Sequence, residues 1–575
     1  MVKHMRFLRR FLALACALLL PVTAVADIQP GYIQPFAKHE MVAAANPLAA
    51  EAGLEILRAG GSAVDAAIAV QMVLNLVEPE SSGIGGGAFM LVFEPKTKAV
   101  ISFDGRELAP ASATPGMFLG TDGKARPKLQ AVPGGLSVGV PGVVAMLEMA
   151  HKKYGKLPWA RLFAPAIRLA ENGFPVGPKL ARTIARWPQM RDMPDIRRTF
   201  YHSDGLPFKE GEILKEPELA ASLRAIADGG AKAFYSGKIA QQIVDAVQDA
   251  PRNPGGMTLA DLAGYRAKER SPVCGDYRQW RVCSMGPPSS GGIAIVQILG
   301  MLQHFPASEL QPNTLSEAHL FTQASRLAYA DRAKYLADSD FIDVPVRGLL
   351  DKGYIASRAA AIDPNKDMGK ATAGNPPEKH ADYSPQVSPV LHGTSHMTIV
   401  DRQGMVVSMT TSVEFVFGAE IMAGGFLLNN TLTDFSMQPE IDGQLVANAP
   451  APGKRPLSAM SPTIVLDKDG NFLLSVGSPG GPAIIDYVAQ TLVAMLDGGL
   501  TPQKAIDLPR QLNLNGPTRL EQSPANDLLV SGLKAMGHDV TVQGGEGSGL
   551  HGIEKVKGGY IGGADPRRDG VVIGD

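Results

Sequence analysis

The chain changes texture at residue 393. Residues 363–391 are polar and rich in Pro, Gly and Lys, with little periodicity, the pattern of a long, exposed, mobile segment. Short apolar runs follow at once, at 396–401, 406–412, 426–430, 462–466 and 472–476. Turn residues separate them, so each reads as a strand. Helical periodicity returns near 485–496 and 527–536. On the other side of the break, 41–77 reads as two helices parted by Gly60-Gly61. A glycine-rich turn at 82–88, a strand at 89–93 and a hairpin partner at 98–103 come next. The section 142–362 is largely helical, interrupted by a hairpin around Cys274 and Cys283 and by Pro287-Pro288-Ser289-Ser290-Gly291-Gly292. This order predicts an α/β (α+β) fold, with stacked strands covered by helices on both faces.

The N-terminus carries an export pattern. Lys3, Arg6, Arg9 and Arg10 precede an apolar run over 11–20, then Pro21 and Ala24-Val25-Ala26. A basic head, a short apolar core and an A-x-A site describe a signal peptide of residues 1–26. The run is too short for a comfortable bilayer span, so a periplasmic or secreted mature protein is expected. With 55 basic and 56 acidic side chains, no global field favours nucleic acid or an anionic membrane.

Of three cysteines, Cys16 leaves with the leader. If Arg278-Gln279 is a two-residue turn, Cys274 and Cys283 face each other across the hairpin, and an oxidising compartment would let a disulfide persist. Two buried thiols are the alternative. The eleven histidines show no H-E-x-x-H or comparable spacing, so neither metal nor cofactor is expected.

Gly393-Thr394-Ser395-His396 stands where the linker meets the first strand of the C-terminal block. A hydroxyl there could attack the preceding carbonyl, and glycine leaves that carbonyl accessible. Cleavage before Thr394 would give one residue both a hydroxyl nucleophile and an α-amino base with a pKa near 8. Alone, the tetrapeptide also fits an ordinary strand start.

Its surroundings favour the first reading. Residues 393–401 resemble the processing site of γ-glutamyltransferases, and further segments match that family in order. Before the threonine these include Asn46-Pro47-Leu48, Gly83-Ile84-Gly85-Gly86-Gly87, Asp104-Gly105-Arg106-Glu107, Val140-Pro141-Gly142 and the 287–292 motif. After it come Phe417-Gly418, Leu427-Leu428-Asn429-Asn430, Asp434-Phe435, Lys454-Arg455-Pro456-Leu457-Ser458 and Gly477-Ser478-Pro479-Gly480-Gly481. The resemblance spans residues 41–565.

It implies an αββα sandwich of the N-terminal nucleophile (Ntn) hydrolase class, made as one chain and cut into 27–393 and 394–575, which associate as a heterodimer. Thr394 would form an acyl-enzyme from a γ-glutamyl donor such as glutathione, resolved by water or an amino-acid or peptide acceptor. The resemblance makes Ser412 a hydroxyl supporting the nucleophile, and Gly480 and Gly481 the oxyanion hole. Arg106 and Ser458 would take the donor carboxylate, where an arginine can pair bidentately. Glu414 and Asp434 would take its α-ammonium. Two positions depart from the family pattern: Ala459 replaces a second serine and Thr431 a Gln or Glu. Each loss is expected to weaken donor binding by on the order of 1 kcal/mol.

That weakening leaves open an acylase acting on glutaryl, adipyl or β-lactam side chains, which lack the α-amino group. A dinucleotide-binding protein would need strand-to-helix order around Gly83–Gly87, and here the order is reversed. A non-catalytic binding protein on the same fold would have little reason to keep Thr394, Ser412 and both oxyanion glycines.

Overall fold

A computed structural model describes residues 35–386, 393–544 and 547–575; the expected leader lies outside them. Two seven-stranded sheets carry the fold. One runs Val571–Gly574, Met41–Ala44, Thr394–Val400, Val406–Ser412, Gly87–Glu94, Ala99–Gly105 and Lys268–Arg270 in spatial order. The other runs Phe36–Ala37, Gly559–Ala564, His551–Val556, Phe472–Gly477, Thr463–Leu466, Trp280–Ser284 and Val273–Tyr277. Both sheets combine strands from before and after residue 393. Neither half of the chain closes a sheet without the other.

Alternation within the strands assigns their faces. Along Gly87–Glu94, Ala88, Met90 and Val92 enter the core beneath one helical layer, whereas Phe89, Leu91 and Phe93 enter the core shared with the second sheet. Strands covered on both faces read as nearly continuous apolar runs. The first helical layer holds Pro47–Arg58 and Ala63–Val77, the latter with every residue buried. Asn46 caps the first helix, and a reciprocal Ser62–Asp65 capping box starts the second. Against the second sheet lie Gly291–Leu302 and Ile484–Leu496, with Leu315–Tyr335 packed on the former. The layers are therefore helix, sheet, sheet, helix, the αββα sandwich of Ntn hydrolases.

Three expectations need correction. Met41–Ala44 is a strand between Val571–Gly574 and Thr394–Val400, not the start of a helix. An all-apolar Met-Val-Ala-Ala run suits a strand buried on both faces as well as it suits a helix. In the 426–430 run only Phe426–Leu427 is strand. The Asn429 amide instead donates to the Gly85 and Gly139 carbonyls at 2.8 Å each, diverting the chain from the sheet. Residues 363–386 have no regular element, yet they are not a free linker. Met368 N–H donates to Gln323 Oε1 (2.9 Å), Gly374 N–H to Asp331 Oδ1 (2.8 Å) and Gln386 N–H to the Ala333 carbonyl (3.0 Å). Residues 387–391 of the expected linker lie outside the described residues.

The cysteine hairpin has its turn at Arg278-Gln279, with Arg278 at φ +54°. Cys274 and Cys283 are paired opposite each other, 4.1 Å apart at Cα, with their sulfurs bonded.

Candidate active site

Antiparallel pairing sets Thr394, first residue of its strand, directly opposite Ser412, last residue of the neighbouring one. Their hydroxyl oxygens are 3.0 Å apart. Ser412 Oγ donates to the Gly393 carbonyl at 2.6 Å and accepts from Glu414 N–H at 2.8 Å. Its remaining lone pair faces Thr394, so the threonine hydroxyl is the donor between them. Arg568 Nη1 holds the Thr394 carbonyl at 3.0 Å. Gly393 is glycine for a steric reason: a Cβ there would lie 2.6 Å from the Glu414 carbonyl oxygen.

Alternation sends Ser395 the other way, where it donates to Glu78 Oε2 at 2.6 Å. His396 shares the Thr394 face. Its ring nitrogens are satisfied by the Thr410 and Thr398 hydroxyls, and burial holds it well below the usual imidazole range, hence neutral.

Gly480 and Gly481 have φ of +133° and +56° at the entry to Ile484–Leu496. Their N–H groups have no hydrogen-bond partner among the described residues. A Cβ on Gly480 would sit 2.5 Å from the Tyr487 ring. Gly481 lines the same cleft as Thr394 and Ser412. Two N–H groups at a helix start suit a developing negative charge.

The same cleft is also lined by charged side chains. Arg106, with a side chain only 2 % exposed, donates from Nη2 to Asp434 Oδ2 at 2.6 Å. Its other nitrogens reach the Pro456 carbonyl (3.2 Å) and Glu107 (3.4 Å). Glu414 has φ +80°, strained for a non-glycine residue, and its Oε2 accepts from Asn430 Nδ2 at 2.6 Å. Burial pushes Glu414 up to about 7 despite the opposing Lys128 ammonium. Asp434 is partly buried, and Lys128 and Arg106 outweigh the desolvation penalty and hold its carboxyl below the usual range. Ser458 and Ala459 form part of the wall. Among the described residues, no three His, Cys, Asp or Glu side chains converge as metal ligands.

The gamma-glutamyltranspeptidase family model matches residues 49–575. The chain belongs to this family of enzymes. It is 40 % identical over 548 residues to the glutathione hydrolase proenzyme of Bacillus subtilis (strain 168), a match covering 93 % of this chain and 92 % of the relative. Among solved structures, cephalosporin acylase from Bacillus halodurans superposes with a TM-score of 0.82 at 29 % identity, covering 97 % of this chain and 99 % of that one. Helicobacter pylori gamma-glutamyltranspeptidase gives 0.54 at 36 % identity, covering 59 % of this chain and 94 % of that one.

Thr394, Ser412, Gly481, Arg106, Glu414, Asp434 and Ser458 thus line one cleft, with Gly393 and Gly480 adjoining Thr394 and Gly481 in the chain. Thr431 does not line it. Its hydroxyl turns inward to Glu107 Oε1 at 2.8 Å, fully buried. The family departure at 431 therefore supports the neighbour of Arg106 and leaves no gap in the cleft wall. Two cleft cations carried no sequence signal, Lys128 and Arg332. Lys128 belongs to the four-residue helix Lys128–Ala131 after an irregular stretch, and only the tertiary fold brings it to Glu414. Arg332 lies inside Leu315–Tyr335 and donates to Ser290 Oγ at 2.8 Å, where helical periodicity marks it as one polar residue among many.

Proposed function

We propose that this chain is an exported, autoprocessing γ-glutamyl hydrolase and acyltransferase with Thr394 as nucleophile. The observation that carries this reading is the Thr394–Ser412–Gly393 contact set, in a cleft also lined by Arg106, Glu414 and Asp434.

Maturation begins with Thr394 Oγ1 adding to the Gly393 carbonyl carbon. Ser412, already donating to that carbonyl oxygen, stabilises the charge it gains. The C–N bond then breaks, the nitrogen takes a proton to become the Thr394 α-amine, and Gly393 is left as an ester on the threonine oxygen. Water hydrolyses the ester, freeing the hydroxyl and a Gly393 carboxylate. Because both sheets interleave residues from either side of the cut, fragments 27–393 and 394–575 remain one body. The B. subtilis relative is named a proenzyme, which accords with such a step.

In the mature enzyme the α-amine removes the Thr394 hydroxyl proton as the oxygen attacks a γ-amide carbonyl. The Gly480 and Gly481 N–H groups face the developing oxyanion. The amine passes the proton to the leaving nitrogen, and water or an acceptor amine resolves the acyl-enzyme. Arg106 and Ser458 bind the donor carboxylate, and Asp434 and Glu414 its α-ammonium. The basic head, apolar core and Ala24-Val25-Ala26 of the leader support export to the periplasm or medium.

A second reading, a glutaryl- or cephalosporin-type acylase, is favoured by one observation: Lys128 stands at the carboxylates that would otherwise take an α-ammonium. The test is side-by-side incubation of processed protein with γ-glutamyl, glutaryl and β-lactam amides. Our reading predicts Thr394-dependent amine release from the γ-glutamyl amide; release from the des-amino amides alone would replace it with the acylase.

A further inference from the structure

We propose that Lys128 sets the donor class at this site: its ammonium stands in for the α-ammonium of a donor between Glu414 and Asp434. The resting cleft is then matched to acyl groups bearing a terminal carboxylate and no α-amino group, and a γ-glutamyl donor binds by displacing the lysine. This deepens the Thr394 reading and rests on it.

Lys128 Nζ lies 3.2 Å from Glu414 Oε1 and 3.5 Å from Asp434 Oδ1, with its side chain only 10 % exposed. The remaining oxygens of both carboxylates are committed, Asp434 Oδ2 to Arg106 and Glu414 Oε2 to Asn430. A donor ammonium would therefore need the same two oxygens that Lys128 holds. With Glu414 ionised, Arg106, Lys128, Glu414 and Asp434 balance to zero charge. A monocarboxylate acyl group enters with both cations in place, whereas a zwitterionic head group sets its ammonium against another cation in a poorly hydrated cleft. Displacement is mechanically open. Residues 121–124 just before the lysine are exposed and Leu129 beside it is 56 % exposed, so the flexible stem can swing toward water. Burial raises Glu414 and the ammonium opposes that rise, which fits a carboxylate that needs one cation and has no use for two.

A purely structural bridge tying Lys128–Ala131 to the Glu414 loop would be lost with the ammonium but would not discriminate between ligands. The experiment therefore compares affinities of processed protein for L-glutamate and glutarate by titration calorimetry, in wild type, Lys128→Met, Lys128→Gln and Lys128→Arg. We expect Met and Gln to tighten glutamate and weaken glutarate, moving their affinity ratio by on the order of tenfold or more, with Arg keeping the wild-type ratio. A ratio unchanged in Met and Gln, or neither ligand binding any form, overturns the proposal. The matched γ-glutamyl and glutaryl p-nitroanilides report the other reading separately. If wild type releases amine from neither, the Thr394 chemistry fails while the binding ratio still judges Lys128.

Discussion

Ser412 Oγ donates to the Gly393 carbonyl at 2.6 Å while the Thr394 hydroxyl oxygen lies 3.0 Å from Ser412 Oγ itself. One serine thus touches both the group that attacks and the group attacked. Ser412→Ala removes the donor to the carbonyl and is expected to slow cleavage by about 10²-fold, the scale of losing one oxyanion donor. A time course of fragment appearance on gels checks this. Cleavage at the wild-type rate would assign the polarising role elsewhere.

Gly393→Ala is expected to impair processing by geometry alone. The added Cβ would approach the Glu414 carbonyl to 2.6 Å, so the strand start must move away from Ser412. The variant should fold, with a melting temperature within a few degrees of an unprocessed Thr394→Ala control, and mature far more slowly. Normal maturation would show that this contact relaxes without cost.

Arg106→Lys keeps the charge and loses the planar fork that reaches Asp434 and the Pro456 carbonyl together. We expect KM for a γ-glutamyl anilide to rise about tenfold while kcat changes less. Arg106→Ala leaves buried Glu107 without its cation and Asp434 with Lys128 alone, and should destabilise the protein by about 3–5 kcal/mol, read as a fall in denaturation midpoint.

The two family departures should behave oppositely. Ala459→Ser adds a hydroxyl to the cleft wall and is expected to lower donor KM severalfold. Thr431→Gln breaks a buried bond to Glu107 and is expected to cost roughly 1–3 kcal/mol of stability without helping KM. A lower KM from Thr431→Gln would mean that residue 431 reaches the donor after all.

Much of this is legible in the amino-acid sequence. The break at residue 393, the strand runs beyond it and the turn at Arg278-Gln279 follow from local patterning, because period and turn chemistry act within a few residues. The line of Thr394, Ser412, Arg106, Asp434 and Gly481 along one cleft rested on motif resemblance, and the fold brings these residues together. Lys128 could not be read, since nothing near it in sequence says which carboxylates it will meet. Met41–Ala44 was misread because a strand buried on both faces loses the alternation that distinguishes it from a helix. The motif fixes the chain position of Thr431, hence the expected loss of donor binding there, while its rotamer, turned to Glu107, is a matter of packing.

Glu414 supplies a pH signature. Its carboxyl is raised from 4.5 to about 7, so the folded protein retains a proton that the unfolded chain releases. That contribution to stability is full below the unfolded value and is lost as pH rises through about 7. Activity runs the other way, because only the carboxylate accepts from an α-ammonium. KM for a γ-glutamyl anilide should fall between about pH 6 and about pH 8, with no such limb for a glutaryl anilide or in Glu414→Gln. A shared limb in both donors would shift the titration to the Thr394 amine.

The most direct test of the account is N-terminal sequencing of the smaller fragment of purified protein. Thr394 as self-activated nucleophile predicts the sequence Thr-Ser-His in wild type and a single uncut chain in Thr394→Ala. A fragment beginning anywhere else, or an uncut wild-type chain with full amidase activity, would contradict it.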